Sequence, residues 1–395
     1  MMCVASIMFS LIHSEICNVA LEESIKTKLT SEVRRELYKL SNKHDVAHIV
    51  ASALSKAELL GEDEISETFK NALMRAVYRD AQREYAITQI IDILENSNIP
   101  HILLKGSAIC KYYPQTWMRT SCDVDILVKK KDVNITEKIL CNSGFIRIED
   151  SSTHDYSFIS PNKIHIELHF SLVQDGELSA TDEIVNGIWD NVILEQGKSY
   201  CYNMTEEMFV FYHLIHMGKH LLHGGCGVRP FVDFWLLENK MPFNESVLRE
   251  MLSSAELLAL YETVSALGKV WMDNKKHVES TKLLEAYVLC GGVYGTTSNS
   301  AQVKVAKGES KIKSFLNLMF LPKNTLEVIF PKLKKHPYMF PLYQIKRWFR
   351  VFNKSKRSKL KHLTSTRNIV SQSDVDATRT MLEHLGLLND QIYRN

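Results

Sequence analysis

Asp123 and Asp125 stand one residue apart in CDVDILV, a run whose valine, isoleucine and leucine residues predict a strand. Successive side chains of a strand point to opposite faces, so the two carboxylates share one face while Val124 and Ile126 take the other. Two ionised carboxylates held that close repel each other, and a fold that keeps both must supply positive charge. A divalent metal ion supplies it most directly. Ligands that are all oxygen suit Mg2+ or Mn2+, which retain several waters and complete their shells with substrate phosphates. The same alternation in IHIELHF puts His165, Glu167 and His169 on one face, which makes Glu167 a candidate third carboxylate.

Phosphate chemistry is suggested upstream. HILLK predicts a short buried strand, Gly106 a turn, and SAICKYY one or two helical turns ending at Pro114. Gly106 and Ser107 would leave backbone N–H groups and a hydroxyl free to meet phosphate oxygens, and Lys105 and Arg119 would neutralise the remaining charge. A plainer reading makes Asp123 and Asp125 strand-edge carboxylates bonded to Arg119 and Lys105.

The histidines open further alternatives. His165, Glu167 and His169 also have the composition of a 2-His-1-carboxylate iron site, which would make the chain an oxygenase and leave the aspartate pair without a role. His216, His220, His223 and Cys226 have zinc-ligating types, although histidines on a helix face are more often packed or solvent-bonded. His220, Arg229 and Asp233 can contact nucleotide or acceptor from a helical unit facing the cleft. Alternatively, Arg229 and Asp233 pair across a helix start.

Around these residues the hydrophobic period predicts helices over the first 95 residues, as in SETFKNALMRAVYRDAQREYAITQIIDILENSNI. A compact mixed sheet follows, with KDVNITEKILCNSG as a helix closed by Gly144 and FIRIED and YSFIS as a strand pair. The helical period returns from about Thr205. The expected organisation is α+β: an N-terminal helical region at 1–95, a small mixed-sheet core at 96–172, a helical domain closing the cleft at 173–300, and a basic, mainly helical region at 301–395.

Composition fits a soluble globular protein: 45% hydrophobic and 24% charged over 395 residues. The eight cysteines show no closely spaced framework, which suggests reduced thiols and a cytoplasmic setting. The apolar start MMCVASIMFSLIHSEIC lacks a basic leader and is interrupted by His13 and Glu15, so a core helix is expected and no transmembrane segment. Net charge is +2, but residues 301–395 carry 19 Lys and Arg against 6 Asp and Glu, while the preceding 300 carry 29 against 40. Basic residues interleaved with aromatics could serve an anionic surface. A helix that packs Tyr343, Trp348 and Phe349 on the core and keeps Lys346, Arg347 and Arg350 solvated is the commoner arrangement. With an acidic bulk ahead of the basic end, nucleic acid is not expected as a specific substrate, and weak salt-sensitive binding through Lys346, Arg347, Arg350, Lys354, Lys356 and Arg357 is the most foreseen.

Taken together, Gly106-Ser107, Asp123-Val124-Asp125 and Glu167 resemble the pattern of the polymerase-beta-like nucleotidyltransferase superfamily. Within it, ILLKGSAICKYYP, RTSCDVDILV and HIELH look like the bacterial group of uncharacterised nucleotidyltransferase family proteins, and the resemblance extends loosely over most of the chain. Fifteen residues between Ser107 and Asp123, and Lys105 in the usually apolar place before the glycine, depart from the pattern. The resemblance implies two Mg2+ or Mn2+ ions at Asp123, Asp125 and Glu167, with an NTP as co-substrate bound near Lys105, Gly106, Ser107 and Arg119. It implies transfer of a nucleoside monophosphate to a hydroxyl with release of pyrophosphate. His165, His169, His220, Arg229 and Asp233 are the expected substrate contacts. The acceptor stays open among small molecules, carbohydrates, peptides and proteins, and a non-catalytic nucleotide-binding or interaction protein on the same fold is the alternative.

Overall fold

The structure, a computed structural model, describes residues 2–148, 154–172, 182–293, 295–309, 320–321, 323–351 and 371–388. It is an α+β protein built on one seven-stranded mixed sheet. The strands are β1 (His101–Leu103), β2 (Asp123–Val128), β3 (Ile146–Ile148), β4 (Asp155–Ile159), β5 (His165–His169), β6 (Val192–Leu194) and β7 (Cys201–Met204), in the order β3-β4-β5-β2-β1-β7-β6. β2 runs parallel to β5, and β1 parallel to β7.

Strand alternation divides the sheet into two unlike faces. Val124, Ile126 and Val128 of β2 join Ile166, Leu168 and Phe158 in a core closed by Ala86, Ile87, Ile90 and Leu94. Those four come from the helix Glu64–Asn96, which contains neither glycine nor proline and is capped where Asp63 accepts from the Ser66 N–H at 2.9 Å. The helix Val133–Asn142 packs on the same side and ends at Gly144, whose φ of 88° lets Phe145 N–H turn back to Leu140 C=O at 3.0 Å. The opposite face carries Asp123, Asp125, His165, Glu167 and His169, the expected site.

Two features extend beyond the sequence reading. β6 and β7 lengthen the sheet past residue 172, where no strand was expected. The helices near the N-terminus and those between 206 and 272 share one apolar core. Phe9, from the helix Met2–Cys17, stacks on Trp271 with ring centroids 4.2 Å apart. Burying Phe9, Met8 and Leu11 in this way contributes on the order of 1.5–3 kcal/mol for each side chain, so the first helix is held as core.

No helix among the described residues is long and apolar enough to cross a membrane, and Cys17, Cys110, Cys122, Cys141, Cys201, Cys226 and Cys290 are present as thiols. In the basic region, Tyr343 packs on Phe330 and Trp348 on Phe320, with Lys346 lying over the Phe330 and Tyr343 rings. Tyr343 and Phe330 belong to a small cluster with Leu326 and Leu333, separate from the main core. The Phe349 and Arg350 side chains and residues Lys354, Lys356 and Arg357 lie outside what the structure describes.

Candidate active site

Parallel pairing of β2 with β5 sets Asp123 opposite His165 and Asp125 opposite Glu167. Side chains directly across a ladder are near neighbours, and those two residues along are within reach of long groups. His169 uses that diagonal: its Nε2 lies 2.9 Å from Asp125 Oδ1 and 3.3 Å from Glu167 Oε2. Lys105 approaches the same carboxylates from the end of β1, with Nζ 2.6 Å from Asp125 Oδ1 and 3.9 Å from Glu167 Oε2.

This charge cluster separates the two aspartates electrostatically. Burial alone would raise Asp125, but Lys105 and His169 outweigh it and hold the carboxyl well below the usual range. Asp123 is pushed up, first by burial and then by the charge of Asp125, although Ser121 Oγ donates to its Oδ1 at 2.6 Å. Burial opposes charge on Lys105 and His169 too, and in both Asp125 prevails and raises the group. The centre therefore keeps a balance of charges in a largely dehydrated place.

The turn after β1 differs in detail from expectation. Lys105, not Gly106, takes the left-handed conformation, with φ of 44°. Gly106 is needed for space: a Cβ there would lie 3.2 Å from Ser121 Cβ, 3.4 Å from Ser121 Oγ and 3.5 Å from Arg119 Nη1. Ser107 Oγ is buried and has no hydrogen-bond partner within the protein. A non-glycine residue in the left-handed region costs about 1–2 kcal/mol, and such strain tends to gather at functional sites.

Arg119 and Asp233, both expected at the ligand, are paired with each other. Arg119 Nε lies 2.8 Å from each Asp233 oxygen, Tyr113 OH donates to Asp233 Oδ1 at 2.7 Å, and Asp233 has no exposed surface. Asp233 is buried in this contact and holds Arg119 beside the Gly106 turn. Arg229 does not pair with Asp233. It donates to Asp45 Oδ2 at 2.6 Å and to Thr120 O at 2.7 Å. With Arg83 donating to Arg119 O at 2.9 Å, these contacts fasten the segment that carries Ser121.

The helix Glu206–Leu222 presents Tyr212, His216 and His220, at helical spacing, to the charge of Lys105. Burial pushes the Tyr212 phenol up to about 12; it lowers His216, and, with Lys105 and Lys219, it lowers His220 to about 4. His216 and His220 share a hydrogen bond, Nε2 to Nε2, at 3.0 Å. His223 Nδ1 instead donates to Lys219 O, and among the described residues no ligand group gathers at His216, His220, His223 and Cys226.

Two sets of ligand atoms in the described residues come within 4.8 Å of one another: Asp125, Glu167 and His169, and His154, Asp155 and His169. His165 belongs to neither; its Nδ1 lies 4.0 Å from Glu167 Oε1. A divalent cation fits the carboxylates of the first set, Asp125 and Glu167, with Asp123 on the same strand face although in neither set. Lys105 already stands against the oxygens of Asp125 and Glu167 as a counter-charge, and the turn that carries the unpartnered Ser107 hydroxyl begins at that lysine. Ser121, Tyr212, His154 and Asp155 were not legible as site residues. Only the place of His154 and Asp155 immediately ahead of YSFIS gave a signal, and it needed the register of Asp155 against His169 to be read.

No curated protein matches the chain. The solution structure of the antibiotic-resistance factor ANT(2'')-Ia is similar over 44% of this chain and 91% of that one, at 11% identity and a TM-score of 0.30, too slight a likeness to carry an argument. The family model for uncharacterised nucleotidyltransferases matches residues 31–273, which include β1, β2, β5 and every charged residue of the site. The chain belongs to the uncharacterised nucleotidyltransferase family.

Proposed function

We propose that this chain transfers a nucleoside monophosphate from an NTP to a hydroxyl of an acceptor in a reaction that depends on Mg2+ or Mn2+. The observation that carries this reading is the cross-strand pair Asp125 and Glu167, with Asp123 on the same face and the Gly106-Ser107 turn at the end of the adjoining strand. Asp123, Asp125 and Glu167 would hold the cation. Such an ion, when bound, would neutralise triphosphate charge and lower the pKa of the acceptor hydroxyl.

The remaining work falls to the chain's own groups. Ser107 Oγ and the backbone at Gly106 donate to phosphate oxygens, and Lys105 neutralises charge that Asp125 would otherwise repel. Glu167 takes the proton as the acceptor oxygen bonds to the α-phosphorus and the bond to pyrophosphate breaks. Rate enhancement of this kind rests on positioning and fixed charge, with no covalent enzyme intermediate. Isothermal titration of each NTP with and without Mg2+ or Mn2+ tests the reading: metal-dependent binding of at least one NTP is expected, and none for any of them overturns it.

One observation favours a second reading, a nucleotide-binding protein without turnover. Lys105 Nζ already occupies a contact on Asp125 at 2.6 Å, where a catalytic cation would also bind. Asp125→Asn separates the two. Under the transferase reading it removes metal-dependent NTP binding, whereas unchanged NTP binding favours the non-catalytic protein.

A further inference from the structure

We infer that His154, Asp155 and His169 form a separate site for a borderline transition-metal ion, of the Zn2+ class, next to the carboxylate centre. One ligand atom from each lies within 4.8 Å of the others, and the donor set is two imidazole nitrogens and one carboxylate oxygen. That set suits zinc and its first-row neighbours, where the all-oxygen set of Asp123, Asp125 and Glu167 suits magnesium.

His169 is poised to serve as a ligand. Its side chain is only 5% exposed, and its two ring nitrogens have different surroundings. Nε2 is committed to Asp125 and Glu167 at 2.9 and 3.3 Å. Nδ1 is buried and has no hydrogen-bond partner. A buried ring nitrogen without a partner is costly, on the order of 1–3 kcal/mol, unless something not yet described satisfies it. The hydrogen bond from Nε2–H to a carboxylate holds the ring in one orientation, and in the neutral imidazole it leaves the lone pair on Nδ1, where a metal ion would take the place of a proton. Metal-binding histidines are held in this way, with a carboxylate behind the ring and the metal in front.

The sheet supplies the other two ligands. Asp155 is the cross-strand partner of His169 on β4, and the His154 ring centroid lies 5.8 Å from that of His169. His154 also lines a cavity of about 490 Å³ bordered by Lys129 and Trp189. Three protein ligands beside a cavity leave a coordination position for an oxygen from whatever occupies it, the arrangement of reactive zinc sites as opposed to closed structural ones. His169 would then join the two centres, bonded to Asp125 on one side and to the ion on the other. The inference does not depend on nucleotidyl transfer.

The test is a Co2+ titration of metal-free protein in excess Mg2+, followed by visible absorption and calorimetry. One Co2+ per chain is expected, with a nitrogen and oxygen ligand-field spectrum free of a thiolate band. His154→Gln and Asp155→Asn should each weaken it tenfold or more, and Asp123→Asn should leave it in place. Failure to bind Co2+ over Mg2+, or binding that His154→Gln leaves unchanged, overturns the proposal. So does binding lost in Asp123→Asn but kept in His154→Gln, since the ion would then lie among the carboxylates. If Asp155→Asn does not fold, the partly exposed His154 still decides the matter. NTP binding in Mg2+, measured on the same samples, reports on the transferase reading separately.

Discussion

Lys105 Nζ lies 2.6 Å from Asp125 Oδ1, and the lysine takes a left-handed backbone conformation, with φ of 44°, in the turn that brings it there. The side chain puts an ammonium where a carboxylate cluster calls for a cation. Lys105→Met should therefore leave Asp125, whose side chain is 3% exposed, short of counter-charge. Breaking a buried pair costs about 3–5 kcal/mol, with His169 placing this case at the lower end. Urea unfolding in chelator should show that loss, and Mg2+ should restore much of it by binding the folded state alone. An equal loss with and without Mg2+ would mean that Lys105 and the cation do not share a role.

Gly106→Ala should loosen the anchor of Asp123 without touching it. The new Cβ would meet Ser121 Cβ at 3.2 Å, inside the usual carbon contact of about 3.5–4.0 Å, so Ser121 must move, and Ser121 Oγ is the donor to Asp123 Oδ1. A stability loss of about 1–3 kcal/mol and weaker metal-dependent NTP binding are expected. Ser121→Gly in the same background should recover the stability but not the binding. Recovery of both would show that the hydrogen bond to Asp123 is dispensable.

Asp233→Leu should be among the most damaging changes in the chain. It strands the buried Arg119 guanidinium and removes the acceptor of Tyr113, at a cost of about 3–5 kcal/mol. Adding Arg119→Met should return part of that loss, because an apolar pair replaces a broken ionic one. A double variant as unstable as the sum of the two single variants would refute the pairing as the cause.

The carboxylate face was legible because a strand period of two fixes which residues share a side. CDVDILV and IHIELHF state that period plainly. What alternation does not state is the neighbour. Asp125 meets Glu167 only because β2 and β5 pair in parallel across the intervening segment, and local sequence does not encode that register. The same limit applies to the charges. Arg229 and Asp233, four residues apart on one helix, are the natural pair in sequence, yet their partners are Asp45 and Arg119, 184 and 114 residues away. β6 went unmarked because Ile193 and Leu194 are exposed and follow no alternation of apolar and polar residues, so its place in the sheet comes from pairing with β7.

Acid should unfold the protein through its histidines before its carboxylates. Burial lowers His44 and His220 to about 4 from the usual 6.5, the first with Lys43 beside it, and it also lowers His48, His101, His213 and His216. Each of these groups stays neutral in the folded chain at a pH where the unfolded chain has taken up a proton. The unfolded state then binds more protons, so stability is complete above about pH 6.5 and declines as the pH falls towards 4. Every histidine that remains neutral adds a slope of about 1.4 kcal/mol per pH unit in that window. His169, raised by Asp125 and Glu167 against its own burial, works in the opposite direction but stands against six. Urea unfolding at about pH 7.5, 6 and 5 should show the decline, and His44→Leu should flatten it by close to one proton's slope. A profile level from pH 7.5 to 5, or one that His44→Leu leaves equally steep, would count against burial as the force that keeps these rings neutral.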